Sequence, residues 1–194
     1  ILSVIVQFND INENKIFLWL SFFKLFSDYF IDDIDLLLKA YIQQDRMSDH
    51  FDYNKSGLKK IVSFDAEYFV KYISAVYQDF GEDIDRHENL SFVWDLKDGE
   101  MIVKKSIEIM VSKKPFYGLD HPINVFFNNV KNESKPKIRL FIFDFIETNA
   151  ENSKKISAIF EVMHKKFKDL FEECLLLYLN FNKNVNAFEK VQWI

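Results

Sequence analysis

The stretch IDDIDLLLKAYIQQDR at residues 31–46 predicts an amphipathic α-helix and sets the fold class of the chain. Ile34, Leu37, Leu38 and Tyr41 follow the i, i+3, i+4, i+7 spacing that places side chains on one face of a helix. Aspartates stand at the start of the stretch, where carboxylates favour the positive end of the helix dipole. We therefore expect a helix with one face buried in a hydrophobic core.

The rest of the chain repeats this helical pattern. Asp65 is a natural N-cap for a helix over residues 66–80, and Phe69, Tyr72, Ile73 and Val76 form its apolar stripe. Similar patterns predict longer helices at 99–114, 136–149, 153–163 and 166–181, and shorter helical pieces at 16–26, 90–96, 123–130 and 181–194. Residues 58–64 form a short apolar-patterned piece.

Composition supports an all-α fold. The 194 residues are 48% hydrophobic and include 22 Phe, but only 4 Gly and 3 Pro. Wound sheets, barrels and phosphate-binding loops need Gly where φ is positive or where backbones approach closely. So few Gly and Pro favour helices joined by short polar turns.

The spacing of the stronger helices predicts a repeat. They begin near Ile31, Asp65, Asp98, Pro136 and Lys165, which are 34, 33, 38 and 29 residues apart. A recurring period in the thirties is typical of stacked helical hairpins. We predict an irregular α-solenoid, HEAT-like or tetratricopeptide-like in style, with an irregular helical bundle as the alternative.

The predicted organisation is one helical-repeat domain over residues 1–194. The first residue is Ile1 and not Met, so we expect the chain to be a fragment of a larger protein. The polar loop at 47–57 is the best candidate for an insertion or a hinge.

Charge and cysteine content restrict the partners and the compartment. The net charge of −5 and the pI near 5.4 count against nucleic acid and anionic membranes as partners, because both need a basic face. The longest apolar run, 16–23, is shorter than the roughly 20 residues of a transmembrane helix. A single cysteine and the lack of a secretory signal predict a cytoplasmic location.

The common motifs of nucleotide-binding and nucleophilic enzymes are not present in the sequence. The P-loop, the dinucleotide-binding glycine motif and the nucleophile elbow are all missing. The four histidines do not have the spacing of zinc ligands. The acidic loop at residues 82–88 lacks the Gly and the Glu that a calcium-binding EF-hand needs. The residues considered were His50, His87, His121 and His164, and, in the loop, Glu82, Asp83, Asp85, His87 and Glu88. We assign no catalytic residue, no cofactor site and no metal site.

Three other features have two possible interpretations each. Asp120 followed by Glu133 and Lys135 matches the acid, acid and lysine of a metal-dependent nuclease, although the intervening segment has a helical pattern. Cys174 lies in an apolar helix, which predicts buried packing instead of a reactive thiol. The aromatic residues, including Trp19, Trp94 and Trp193, follow helix faces, which predicts core packing instead of a ligand box.

The C-terminal stretch LLLYLNFNKNVNAFEKVQWI, residues 175–194, resembles a segment near the C-terminus of large bacterial multi-domain ATPases of the STAND class. The shared pattern is a long apolar helix, an Asn-containing turn, and a short helix with Phe188 and Trp193. The stretch LSFVWDLKDGEMIVKKSIEIM, residues 90–110, also looks like an internal repeat of such regions.

The resemblance implies a role without local chemistry. In such ATPases a helical-repeat region follows the P-loop module and senses a trigger or maintains autoinhibition, often in defence against phage. We therefore expect a non-catalytic sensor or scaffold that binds a protein or the parent's own ATPase module. The alternatives are a nucleic-acid-binding helical scaffold and a metal-dependent nuclease.

Overall fold

The computed structural model describes residues 33–47, 52, 54–79, 89–113 and 123–181. Over these residues the chain forms seven α-helices and two 3-10 helices, and the described part contains no strand. The predicted all-α class is therefore confirmed. The chain divides into two compact units, residues 1–88 and 89–194, and each is considered separately.

Three helices pack together in the described part of the first unit. They are α1 (Ile34–Met47), α2 (Ser56–Val62) and α3 (Glu67–Asp79), and each contacts the other two. Both predicted stripes are buried, since every member is at most 9% exposed: Ile34, Leu37, Leu38, Tyr41, Phe69, Tyr72, Ile73 and Val76. The side chain of Asp65 accepts the backbone amide of Glu67 at 2.9 Å, as expected for a residue that caps a helix start.

The second unit contains four long helices, α4 (Gly99–Lys113), α5 (Lys135–Asn149), α6 (Ser153–Lys166) and α7 (Lys168–Phe181). Two 3-10 helices, Ser91–Asp95 and Asn132–Ser134, precede α4 and α5. Helix α7 packs against both α5 and α6, and α5 also contacts α4. The Asn152 side chain caps α6 by accepting the amide of Lys155 at 3.2 Å, which agrees with the predicted helix start.

An aromatic cluster fills the middle of the second unit. Trp94 lies 5.2 Å from Phe141 and 5.7 Å from Phe127 between ring centroids, and Phe127 in turn meets Phe167 at 6.0 Å. The indole Nε1 of Trp94 donates to the carbonyl oxygen of Phe126 at 2.7 Å, so the buried donor is satisfied. Packing of Trp94 in the core, one of the predicted outcomes, is confirmed.

One predicted helix is wrong over its described part. Residues 123–130 were expected to be helical, but only 123 and 124 are, and turns follow through 129. Two successive i to i+3 hydrogen bonds end at Phe126 and Phe127, and Asn129 has a φ of 52°. The turns place Phe126 and Phe127 beside Trp94, so tertiary packing has overridden the local helical pattern.

The predicted helix starts agree with the observed ones to within three residues at Ile34, Glu67, Gly99, Lys135 and Lys168. The stacking of hairpins into a solenoid and the single repeat domain over 1–194 stay predictions. The predicted helical pieces at 16–26 and 181–194 lie outside the described residues, apart from Phe181, which ends α7.

Candidate functional site

The most polar part of either core is a cluster in the first unit, here called the polar cluster. Its members come from α1, from α3 and from the connection before α2: Tyr41, Asp45, Asp52, Lys55 and Tyr72. All five residues are less than 5% exposed. Buried charges are rare unless they are paired, so this set is the first candidate for a functional site.

The Asp52 carboxylate organises one half of the polar cluster. It accepts the Tyr41 hydroxyl at 2.9 Å and the backbone amides of Ser56 and Gly57 at 2.7 and 2.6 Å. A longer bond of 3.4 Å reaches the amide of Leu58. These amides form the first turn of α2 and have no partner inside the helix, so Asp52 satisfies them.

Lys55 organises the other half. Its Nζ donates to Asp45 at 2.8 Å and lies 3.5 Å from the Tyr72 hydroxyl, which itself donates to the second Asp45 oxygen at 2.8 Å. The Lys55 and Asp45 side chains are 5% and 2% exposed, which makes this a buried ion pair. Removing one partner of such a pair leaves an uncompensated buried charge.

A lysine, a tyrosine and two aspartates are residue types that also serve in proton transfer. Here each of them is engaged by neighbouring protein groups and shielded from solvent, so a substrate has no direct approach. The arrangement is therefore suited to holding helices together.

Nearby in sequence, Nε2 of the buried Gln44 has no hydrogen-bond partner in the described part of the chain, which is a cost of the folded state.

Sequence reasoning missed the polar cluster. The segment around Asp52 and Lys55 reads as a polar loop, yet both residues are buried. The available signal was Gly57: a Cβ there would lie 3.0 Å from the Tyr41 ring and 3.1 Å from the Asp52 carboxylate. The Tyr41 ring and the Asp52 carboxylate approach the Gly57 backbone so closely that a residue without a side chain is favoured there.

Two of the three residues of the alternative nuclease motif, Glu133 and Lys135, lie in the described part of the chain. Glu133 lies in the exposed 3-10 helix before α5, and Lys135 is exposed at the first residue of α5. Asp120 lies outside the described residues, as do the acidic loop 82–88 and three of the histidines.

His164 is exposed and stacks edge-on against Phe171 at 5.8 Å. No metal-binding group of three or more acidic, His or Cys residues occurs in the described ranges.

Cys174 is fully buried on α7, as its apolar surroundings predict. Burial raises the pKa of the thiol to about 12, and the neighbouring Glu173 carboxylate acts in the same direction. The thiolate is the reactive form, so both its population and its access to reagents are suppressed.

We expect Cys174 to resist thiol reagents in the folded protein. At pH 8 a thiol with a pKa near 12 is about one part in 10,000 thiolate. Mixing with a chromogenic disulfide should release almost no colour until urea unfolds the chain, after which one equivalent should react. Cys174 is the only cysteine, so Cys174→Ser provides a blank. Stoichiometric reaction within minutes in native buffer would contradict the burial.

The surface of the second unit combines ion pairs with isolated apolar side chains. Arg139 of α5 contacts both carboxylate oxygens of Glu173 on α7 at 2.7 Å, and Lys104 of α4 contacts Asp144 of α5 at 3.2 Å. Exposed pairs of this kind contribute only about 0–1 kcal/mol. Among the described residues, the large apolar side chains that face solvent are Met101, Leu140, Leu176 and Phe181, between 46% and 66% exposed.

None of the helices in the described part of the chain is long and apolar enough to cross a membrane. No family model matches the sequence, and no curated protein or solved structure shows significant similarity to it.

Proposed function

We propose that this chain is a non-catalytic protein-binding segment that acts as a sensor or scaffold. In this proposal it belongs to a larger cytoplasmic bacterial ATPase of the STAND class, in a system that defends against phage. The family assignment rests on the resemblance of residues 90–110 and 175–194.

The observation that supports binding is the set of exposed apolar side chains on the second unit. Leu140 on α5 and Leu176 on α7 are 66% and 64% exposed. A protein partner that covers exposed leucines removes their apolar surface from water, and this removal favours binding. The basic residue next to Leu140, Arg139, is paired with Glu173, which favours a protein partner over nucleic acid.

The test uses the chain as immobilised bait in lysates of infected and uninfected bacteria, with Leu140→Glu and Leu176→Glu as matched variants. We expect the unmodified chain to retain one protein, from the phage or from an ATPase module, and each variant to lose most of it. Because both leucines are exposed, the variants should keep the helical circular dichroism spectrum.

The control is Lys137→Glu, which places the same charge on α5 at an exposed position without removing an apolar side chain. It should retain the partner. Equal retention by all variants, or loss with Lys137→Glu alone, would contradict binding through the leucines. Retention of DNA or RNA with a steep salt dependence would instead favour the nucleic-acid scaffold.

A further inference from the structure

The polar cluster of the first unit contains groups that disfavour its own closed conformation. Asp52 and Lys55 have φ values of 45° and 53°, the left-handed region that non-glycine residues seldom occupy. Lys55 and Asp45 are in addition charged groups withdrawn from water. The conformation therefore persists only as long as its hydrogen bonds hold it.

Those hydrogen bonds form one connected set. The backbone amide of Lys55 donates to the carbonyl of Asp52 at 2.7 Å, so a single turn links the two halves of the cluster. Asp52 is bonded to Tyr41 on α1, and Lys55 to Asp45 on α1 and Tyr72 on α3. If Lys55 left Asp45, a buried carboxylate would lose its cation and the turn that orients Asp52 would be released. Partly opened states are thus disfavoured.

We propose that the polar cluster is a latch that opens in one step, freeing the first turn of α2 while α1 and α3 stay packed together. Helices α1 and α3 contact each other directly, and this contact can persist when the first turn of α2 opens. Opening brings the charges of Asp45, Asp52 and Lys55 into water and relaxes both left-handed residues. This conformational device is independent of the proposed binding function.

Amide hydrogen exchange measured residue by residue in low urea tests the latch in the unmodified chain. The amides of Ser56, Gly57 and Leu58, which Asp52 accepts, should exchange with a common opening free energy. They should exchange faster than Ile73 and Val76 in α3, and with a weaker urea dependence, because local opening exposes less surface than unfolding of the whole unit. If all five amides share one free energy and one urea dependence, no separate opening exists and the latch is overturned.

Tyr72→Phe tests whether the two halves are coupled. This change removes the hydroxyl bonded to Asp45 and keeps the ring, and Asp45 belongs to the half of the polar cluster that Lys55 organises. A single latch predicts that exchange of those amides accelerates about tenfold, as expected for loss of one hydrogen bond to a charged group. Tyr41→Phe, which acts directly on Asp52, should accelerate the same amides.

The matched control is Tyr68→Phe on the same helix α3, where the half-buried ring lies under the Lys71 ammonium at 4.4 Å. It should leave the Ser56, Gly57 and Leu58 amides unchanged. If Tyr72→Phe also leaves them unchanged while Tyr41→Phe accelerates them, the halves open independently and the proposal fails.

Discussion

Replacing Phe141 by alanine is expected to lower the free energy of unfolding of the second unit by about 3–5 kcal/mol, the usual cost of truncating a buried phenylalanine. Phe141 is 4% exposed, and its ring centroid lies 5.2 Å from that of Trp94 and 5.7 Å from that of Phe145. Alanine would remove the transfer free energy of the ring and leave a cavity. It would also remove the edge-to-face contact with Trp94.

Urea unfolding measures this loss when Trp94 is the only reporter, in a background with Trp19→Phe and Trp193→Phe. The control is the adjacent substitution Leu140→Ala, at a residue that is 66% exposed on the same helix. It should change the free energy of unfolding by less than about 0.5 kcal/mol. Similar losses of unfolding free energy for Phe141→Ala and Leu140→Ala would mean that α5 buries a different face from the one that contains Phe141.

This pair of positions shows where prediction from the sequence ends. The stretch RLFIFDFI contains apolar residues at nearly every position, so helical periodicity identifies α5 but does not say that Phe141 is buried and Leu140 exposed. In α1 and α3 the apolar and polar residues are more clearly separated onto opposite faces of the helix, and there both buried stripes were predicted correctly. Helical periodicity identifies the buried residues in α1 and α3 and not in α5, because the two faces of α5 differ less in polarity.

The polar cluster was beyond sequence reasoning for a different reason. Local rules assign Asp, Asn, Lys and Gly to solvated turns, and residues 52–57 satisfy those rules. Burial of Asp52 and Lys55 depends on Tyr41, Asp45 and Tyr72, which stand up to 20 residues away in sequence. Pairing across such distances is a property of the tertiary fold. The turns at 125–129, which replace a predicted helix, have the same kind of origin.

Gly99→Ala is the second substitution with a large expected effect. It should lower the free energy of unfolding, whereas helix propensity alone predicts an increase. Gly99 is the first residue of α4, and alanine has a higher intrinsic helix propensity than glycine. Here a Cβ would lie 2.3 Å from the backbone carbonyl oxygen of Val93 and 3.3 Å from the Cα of Trp94. The obstacle is the backbone of the 3-10 helix, which cannot rotate aside as a side chain would.

We therefore expect Gly99→Ala to destabilise the second unit by about 1–3 kcal/mol, as overpacking of a core does. The same urea measurement with Trp94 as reporter gives the value, and the native fluorescence of Trp94 should also change, because the 3-10 helix that contains it must move. Glu100→Ala, at the next and exposed position, is the control and should cost less than about 1 kcal/mol. A gain in stability at Gly99 would mean that the close approach of α4 to the 3-10 helix is absent in solution, and the scarce Gly would then have no structural explanation.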